Sequence, residues 1–343
     1  MVDWLGRGGI AHCTEAWAHE LRAVGESVEL VTRFGRELAL AVPGARGAGR
    51  RGGALPEYLA VVAAARRLIR ELDPRALVLH GTVLPQVEIG LLRAAQRRGT
   101  TVILVAHEPA PPHDPPGSRS AFVRLVRESD VVVTHTNFVG DALREMAHRR
   151  DLVLLPLPLP IGLLAAGSGA TPVVESSPIP LALSFGNLHR AYKGSLMVEQ
   201  LATRGVEGWR FALVGKGAPE SVPATTTVPR FLEAGELVAT VSCSAATLLP
   251  YRRASQSAAV VLAQAVGAVV VATSVGGIPE QVENGVTGRL LSSGADVEDW
   301  RDVLIELRDP HERGRLALEA RNSVERAHRK FAAGVVELTR AAR

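Results

Sequence analysis

Two of the three lysines in this chain lie in glycine-containing loops that directly follow apolar runs. Lysine is rare in this chain. The 343 residues contain 36 arginines but only three lysines, Lys193, Lys216 and Lys330. Lys193 belongs to the segment 185–194 and Lys216 to the segment 213–217. Cationic side chains in such loops donate hydrogen bonds to phosphate oxygens. Both segments therefore predict a site for a phosphorylated ligand, with a merely solvated loop as the alternative for each.

The loop at residues 185–194 has the composition that a diphosphate requires. Its sequence is FGNLHRAYKG, so that Arg190 stands close to Lys193 and Asn187 follows a glycine. Two cations in one loop can bind oxygens of two adjoining phosphates. We expect Arg190 and Lys193 to bind the ligand, and Asn187 and Lys216 are further candidates.

Two other loops lead into helix-like segments, where free backbone N–H groups and the helix dipole favour anions. Near the start of the chain, Gly8 and Gly9 allow a phosphate or a sugar to approach the backbone closely. Further on, Gln256, Ser257 and Ala258 lead into an apolar run, and either Ser255 or Ser257 is a good N-cap residue for it. We predict ligand contacts at these residues, with a helix cap that binds no ligand as the alternative.

Short apolar runs alternate along the chain with longer mixed stretches. Buried runs without polar alternation, separated by helices, indicate a parallel sheet covered on both faces. Ligands bind at the carboxyl ends of such strands, which is where the four loops fall. The predicted strands are 27–32, 76–80, 101–106, 130–134, 152–155, 181–185, 210–214, 246–249 and 269–272, and the predicted helices are 13–24, 55–72, 83–98, 138–147, 195–204, 258–266, 297–307 and 310–328.

The pattern weakens between residues 155 and 177, where recurring prolines and glycines disfavour regular structure and predict a linker between domains. It restarts after this segment. The sequence thus predicts an α/β protein of two Rossmann-like, doubly wound domains that face a central cleft. We place the N-terminal domain at 1–165, the C-terminal domain at 166–325 and a C-terminal helix at 326–343, which can pack back on the N-terminal domain.

The first strand is short for the central position that it should occupy. Only Met1–Leu5 precede the first glycine loop, whereas a strand of about five or six residues is usual before such a loop. Either the coding sequence begins upstream of Met1 or the strand is genuinely short, and the sequence favours neither interpretation.

Composition and charge limit the classes of function. Cys13 and Cys243 form no disulfide framework and lack metal-ligand spacing, so we expect a reducing cytoplasm and give neither a catalytic role. The start does not resemble a signal peptide, and no apolar run is long enough to span a membrane. The net charge of +4 arises from 39 basic and 35 acidic residues without a dense basic block. We expect no nucleic-acid partner, and peripheral contact with an anionic membrane is the alternative to an ordinary solvated surface.

Several motifs, in this order, resemble the retaining GT-B glycosyltransferases of family GT4, the glycosyl transferases group 1. The resemblance covers nearly the whole chain, and its most specific part is the segment 271–280. It implies the GT-B fold and a nucleoside diphosphate sugar as the donor substrate, with no cofactor. The matching segments are Gly8–Ile10, Tyr192–Gly194, Val214–Gly217, Val271–Glu280 and Asn284–Gly288.

The family's site residues are carried over where the motifs match. The first Gly-Gly loop of the family approaches the donor phosphate and the acceptor, which implies this role for Gly8 and Gly9. A histidine after an N-domain strand lies near the transferred sugar, and His107 stands at that place. The arginine and lysine after the first C-domain strand bind the diphosphate. Lys193 matches well, and Arg190 matches less well because the family's arginine normally follows the glycine directly.

The chain departs from the family at its paired glutamates, the E-x7-E motif. Alignment places Ala254 and Leu262 at these positions, and neither side chain can accept a hydrogen bond. The segment 255–258 resembles the Thr-Gln-Ser-Gly loop of a subset of the family, in which polar side chains and helix amides take over part of the first glutamate's role. The ribose contact of the second glutamate has no replacement. No Asp-x-Asp pair occurs, so we expect no metal that bridges carboxylates and diphosphate.

Two further residues have competing interpretations. His12 lies seven residues before His19 on one face of a predicted helix, which favours a structural role, although His12 is close enough to the Gly-Gly loop to contact a ligand. Glu280 ends the Gly-Gly turn at 276–277. It either hydrogen-bonds donor hydroxyls or caps the following helix, and we favour capping slightly.

The sequence therefore predicts transfer of a sugar from a nucleoside diphosphate sugar to an acceptor hydroxyl or amine, with retention of anomeric configuration. The donor would bind residues 166–325 and the acceptor residues 1–165. The alternative is a catalytically impaired GT-B protein that acts as a partner or regulator of an active glycosyltransferase, as the missing glutamates suggest. A dinucleotide-dependent oxidoreductase is disfavoured, because no Gly-x-Gly-x-x-Gly with a following ribose-binding acid stands at a strand end.

Overall fold

The computed structural model describes residues 1–33, 45–48, 54–110 and 116–342. The chain divides into two compact units. We name Met1–Pro158 with His328–Arg343 the N-terminal unit, and Leu159–Ala327 the C-terminal unit. Each unit contains one sheet whose paired strands are all parallel. The predicted fold class of two parallel, Rossmann-like α/β domains is confirmed.

The sheet of the N-terminal unit has seven strands in the order β3-β2-β1-β4-β5-β6-β7. Its first strand has only two residues but lies centrally, between β2 and β4. The strands are β1 (Val2–Asp3), β2 (Val31–Arg33), β3 (Arg46–Ala48), β4 (Ala76–His80), β5 (Thr101–Ala106), β6 (Val131–Thr134) and β7 (Leu152–Leu154). The helices are α1 (Gly8–Ala23), α2 (Ala54–Leu72), α3 (Pro85–Gln96), α4 (Ser118–Glu128) and α5 (Asn137–Ala147).

The sheet of the C-terminal unit has six strands in the order β10-β9-β8-β11-β12-β13. The strands are β8 (Leu181–Phe185), β9 (Arg210–Val214), β10 (Thr225–Val228), β11 (Ala246–Leu249), β12 (Val269–Thr273) and β13 (Gly288–Leu291). The α-helices are α6 (Ile161–Ala166), α7 (Ser195–Arg204), α8 (Ala234–Ser242), α9 (Ala258–Val266), α10 (Val297–Glu306) and α11 (Pro310–Ala341), and short 3-10 helices span Ala191–Lys193 and Ile278–Glu280.

The central strands of both sheets are buried on both faces, which explains their continuous apolar sequences. In β5, Leu104 packs in one apolar cluster of the N-terminal unit and Ile103 in another on the opposite side. The second cluster also contains Trp17 of α1 with Phe331 and Val335 of α11. The end of the long helix α11 thus belongs to the core of the N-terminal unit. None of the helices in the described ranges is long and apolar enough to cross a membrane.

The structure corrects two boundaries predicted from the sequence. The segment 155–177 contains the helix α6 (Ile161–Ala166), although its glycines had predicted irregular structure. One reason is close helix packing, since a Cβ on Gly235 of α8 would lie only 2.7 Å from the carbonyl oxygen of Ala166. A single helix, α11 (Pro310–Ala341), takes the place of the predicted helix at 310–328 and the separately predicted C-terminal helix at 326–343.

Six strands and α-helices within the described ranges were missed from the sequence. Strand β10 reads TTTV and is partly exposed, so it lacks the apolar run that marks a buried strand. Helix α8 carries an acidic capping box, formed by Glu233 and Glu236, that sequence reasoning did not use. The missed elements are β3, β10, β13, α4, α6 and α8.

Candidate functional site

Loops that follow neighbouring strands of the C-terminal unit are joined by backbone hydrogen bonds. The N–H of His189, after β8, donates to the carbonyl of Lys216, after β9, at 3.2 Å. The N–H of Arg252, after β11, donates to the carbonyl of Tyr192 at 2.7 Å. The carboxyl ends of parallel strands lie at one edge of a sheet. The loops with the predicted phosphate-binding residues therefore form one continuous surface at this edge.

Two further contacts fix the loops closely against each other. A Cβ on Gly194 would lie 1.9 Å from the carbonyl oxygen of Pro250, so only glycine allows the loops after β8 and β11 to approach this closely. The N–H of Gly277, in the loop after β12, donates to the carbonyl of Ala254 at 3.0 Å. The Gly-Gly turn and the loop before α9 are thereby connected.

Lys193 is held at this edge by an aromatic ring. Its Nζ lies 3.9 Å from the ring centroid of Tyr251 and 5.5 Å from that of Tyr192, a geometry in which the ring face attracts the ammonium group. No carboxylate in the described ranges forms an ion pair with Lys193. Arg190 is exposed in the same loop, and its N–H donates to the carbonyl of Asn187 at 3.2 Å. The loop thus presents two cations to solvent.

The N-terminus of α9 is organised by a glutamine that the sequence did not reveal. The Oε1 atom of Gln281 accepts from the N–H of Ser257 at 2.7 Å, and its Nε2 donates to the carbonyl of Ser257 at 3.2 Å. Of the two predicted N-cap candidates, Ser255 and Ser257, Ser257 is the N-cap, because its Oγ accepts from the N–H of Val260 at 3.4 Å. The amides of Ala258 and Ala259 have no acceptor within the helix. A ligand would therefore meet these two amides and not the amide of Ser257.

The two positions of the missing glutamates differ in their surroundings. Ala254 is partly exposed in the loop before α9, close to the half-buried Gln256. Leu262 is 3% exposed and packs in the apolar core of the C-terminal unit. Beside it, the buried Gln264 donates from Nε2 to the carbonyl of Gln281 at 3.1 Å. Leu262 therefore serves the core, and the ribose contact of the family has no counterpart at this position.

Two other candidates, Glu280 and Lys216, lie at the same edge of the C-terminal unit. Glu280 is exposed at the end of the 3-10 helix Ile278–Glu280, and the next α-helix within the described chain begins at Val297. The slightly favoured interpretation, in which Glu280 caps a following helix, is wrong because the Gly-Gly turn leads to β13 first. Lys216 is exposed, and its Nζ lies 5.9 Å from the ring centroid of Phe231.

The Gly-Gly loop of the N-terminal unit is shaped by Asp3, which the sequence analysis did not single out. The Oδ1 atom of this buried carboxylate accepts from the N–H groups of Leu5 at 2.9 Å and Gly6 at 2.7 Å. Its Oδ2 accepts from the hydroxyl of Thr14 on α1 at 3.0 Å. Gly8 and Gly9 follow as the first residues of α1. The space around a Cβ on Gly8 is open, and its φ of +67° suits glycine.

Asp3 yields a prediction about stability and pH. Burial raises the pKa of Asp3, while the donors from Gly6, Leu5 and Thr14 oppose this rise. The folded state therefore keeps this proton to a higher pH than the unfolded state does, and stability is lost as the pH rises through the folded-state pKa. Asp3→Asn keeps the acceptor for both amides and removes this loss of stability, so we expect the melting temperature of the variant to rise relative to that of the wild type as the pH increases from about 4 upwards.

The matched variant Asp3→Ala separates the effect of losing the hydrogen-bond acceptor from the effect of losing the titratable carboxyl. It leaves the N–H groups of Leu5 and Gly6 without this acceptor, so its free energy of unfolding should lie about 2 kcal/mol below that of Asp3→Asn at every pH. Calorimetry of the three proteins across this range checks both expectations. Equal slopes of melting temperature against pH for the wild type and Asp3→Asn would contradict the pKa argument.

The two candidate histidines of the N-terminal unit differ in exposure. His12 is partly buried on α1, and its Nδ1 lies 3.9 Å from Oε2 of Glu15. His107 follows β5 directly and is only 5% exposed. Its ring centroid lies 5.0 Å from that of His135 and 6.1 Å from that of His80. Burial lowers the pKa of His107, and the neighbouring histidines lower it further.

Sequence comparisons assign the two halves of the chain. A family model described as "Glycosyl transferases group 1" matches residues 179–309, and a model described as "Glycosyltransferase Family 4" matches residues 7–159. The chain belongs to the group 1 and family 4 glycosyltransferases. The resemblance inferred from its motifs is thereby confirmed, and the protein is an enzyme of this class. No match was found among proteins with curated functions.

Solved structures of glycosyltransferases share this fold along the whole chain. HepE of Anabaena, solved with UDP-glucose, aligns with a TM-score of 0.76 at 15% identity, over 99% of this chain and 98% of that one. A glycosyltransferase from Rickettsia africae gives 0.74 at 14% identity, with 99% and 97% covered. Sucrose-phosphate synthase from Thermosynechococcus elongatus gives 0.72 at 15% identity, with 96% and 92% covered. At these identities the similarity shows the fold, which is GT-B.

Proposed function

We propose that this glycosyltransferase uses a nucleoside diphosphate sugar as its donor and binds the diphosphate at the loop edge of the C-terminal unit. The observation that carries the proposal is the position of Lys193. Its ammonium group rests on the ring of Tyr251, in a loop fixed against the segment that leads into α9, and no described carboxylate neutralises it. A partly buried cation without a counter-ion among the described residues, at the sheet edge where α9 begins, has the character of an anion site.

The same groups supply the chemistry that the transfer needs. When the bond between sugar and diphosphate breaks, negative charge grows on the departing phosphate oxygen. Lys193 and the amides of Ala258 and Ala259 are in place to stabilise this charge, and the exposed Arg190 supplies a second cation. The proposal needs no cofactor besides the donor substrate.

The remaining parts of the proposal come from the family. The transferred sugar keeps its anomeric configuration, and the N-terminal unit binds an acceptor hydroxyl or amine beside Gly8 and Gly9. HepE, which has the same fold, was solved with UDP-glucose, and this supports a sugar-nucleotide donor. We leave His107 out of the proposed donor set, because a ring that is 5% exposed offers little surface to a sugar.

Nucleotide-dependent thermal stabilisation tests the donor class. A ligand present at 100 times its dissociation constant stabilises the folded state by about 2.7 kcal/mol. We expect one of UDP, GDP and dTDP to raise the melting temperature by several degrees, and the matching monophosphate to raise it less because it lacks the second phosphate. NAD serves as the control for a dinucleotide-binding protein. A protein that responds to none of the diphosphates would contradict the proposal.

The second candidate function is that of a catalytically impaired partner of an active glycosyltransferase. The burial of Leu262 in the apolar core favours it, because the ribose contact of the family is absent there. Hydrolysis of a nucleotide sugar in the absence of acceptor separates the two. Release of the nucleoside diphosphate supports the enzyme, whereas binding without any turnover supports the partner.

A further inference from the structure

Three histidines stand side by side at the carboxyl ends of adjacent strands of the N-terminal unit. His80 ends β4, His107 directly follows β5, and His135 directly follows β6. His80 pairs with Val105, two residues before His107. Ala106 pairs with Thr134, so that His107 and His135 are the next residues of both strands. Because side chains alternate between the faces of a strand, all three imidazoles lie on one face of the sheet.

Helix α1 covers this face and places a thiol among the imidazoles. Cys13 is 2% exposed, and the three histidines are between 1% and 5% exposed. Ligand atoms of Cys13, His80 and His107 all lie within 4.8 Å of one another. The Sγ atom of Cys13 also lies 3.4 Å from Nε2 of His135. Four groups that bind transition metals thus share one buried space.

The two outer histidines differ in how their ring nitrogens are used. His135 has its Nδ1 2.9 Å from the carbonyl oxygen of Leu155, so Nδ1 carries the proton and Nε2 presents a lone pair toward Cys13. This outer contact is typical of a metal-binding histidine. Neither ring nitrogen of His80 has a hydrogen-bond partner among the described residues. A buried imidazole without partners is costly unless another group completes the site.

We propose that Cys13, His80 and His107 bind a zinc ion, with Nε2 of His135 as the fourth ligand. Thiolate and imidazole are the donors that Zn²⁺ prefers, and a closed set of four is typical of a structural site. Bond lengths of about 2.0–2.3 Å place neighbouring ligand atoms about 3.4–3.6 Å apart, which the contact between Cys13 and His135 already matches. The ligand atoms of Cys13, His80 and His107, which lie within 4.8 Å of one another, would close to this distance as the ion binds.

The charges at the site agree with this assignment. Burial lowers the pKa of all three histidines, that of His135 to about 4, so they are neutral ligands at neutral pH. Burial raises the pKa of the Cys13 thiol, and Zn²⁺ binding would release its proton to solvent as the thiolate–zinc bond forms. Sequence reasoning missed the site because its ligands come from three strand ends and one helix instead of a short motif. In this assignment His107 is a metal ligand, in place of the predicted contact with a sugar.

Metal content and cobalt substitution test the site in the full chain. We expect purified protein, loaded with Zn²⁺ and dialysed, to retain about one equivalent per chain. Co²⁺ in its place should give the visible bands of a tetrahedral ion and a thiolate charge-transfer band. Cys13→Ser should lose the charge-transfer band, and its affinity for the metal should fall at least about tenfold. Cys243 is exposed, so Cys243→Ser should behave as the wild type.

A second measurement does not depend on the folding of Cys13→Ser. In the Cys243→Ser variant, Cys13 is the sole thiol, so a thiolate band in the spectrum of its Co²⁺ form can come only from Cys13. A thiolate band at one equivalent of Co²⁺ supports the site. No thiolate band, or equal retention of Zn²⁺ by Cys13→Ser and the wild type, would overturn it and leave a metal-free network of neutral histidines. Because these readouts need neither donor nor turnover, they stand apart from the proposed function.

Discussion

Lys193→Ala is expected to lower kcat/KM for the donor by about 10-fold to 100-fold. A hydrogen bond between a charged donor and a phosphate contributes about 1.5–3 kcal/mol, and each 1.4 kcal/mol corresponds to a factor of ten. The loss should appear in kcat as well as in KM, because the charge on the leaving phosphate grows in the transition state. Release of nucleoside diphosphate from the donor sugar that stabilises the protein provides the assay.

The other lysines make the control unusually direct. Lys330 is exposed on α11 and is the only lysine outside the two candidate loops, so Lys330→Ala should leave kcat/KM unchanged. Lys193→Arg keeps the positive charge but replaces the compact ammonium group by a planar guanidinium group. We expect it to retain more activity than Lys193→Ala but less than the wild type. Lys193→Ala with full activity and unchanged nucleotide stabilisation would remove Lys193 from the site and with it the main support for the proposed donor geometry.

The parts of the site that the sequence predicted are those encoded by local pattern. Apolar runs located the strand ends, and the loops that contain Lys193, Ser257 and the Gly-Gly turn follow such runs. Residues of this kind are recognisable because a parallel sheet always places these loops at the same edge. The predictions could therefore name the loops and restrict the N-cap of α9 to Ser255 or Ser257.

The parts that the sequence did not predict depend on partners far along the chain. Gln281 matters because its side chain meets the backbone of Ser257, and Asp3 matters because the loop that follows it turns back onto its carboxylate. The capping interpretation of Glu280 was wrong for a related reason, since the segment after it forms β13 before any α-helix. Pairings of this kind are set by tertiary packing and carry no periodic signal in the sequence.

The packing around Gly194 leads to the second prediction of a large effect. Gly194 has a φ of +68° and a ψ of +23°, the left-handed region that costs a non-glycine residue roughly 1–2 kcal/mol. A Cβ at this position would also meet the carbonyl oxygen of Pro250 at 1.9 Å, and a backbone atom cannot rotate away as a side chain can. We expect Gly194→Ala to lower the free energy of unfolding by about 3–5 kcal/mol, which is a fall in melting temperature of about 10 °C for a unit of this size.

Gly117→Ala provides the matched control for Gly194→Ala. Gly117 also precedes a helix in the left-handed region, with a φ of +79° and a ψ of −2°, but a Cβ there meets nothing within 4 Å. It should therefore show the conformational cost alone, about 1–2 kcal/mol, and keep its response to nucleotide. Gly194→Ala should also lose nucleotide stabilisation, because moving Pro250 displaces the adjoining Tyr251 ring on which Lys193 rests. Equal losses in the two variants would show that the approach of the loops at Pro250 has no role in holding Lys193.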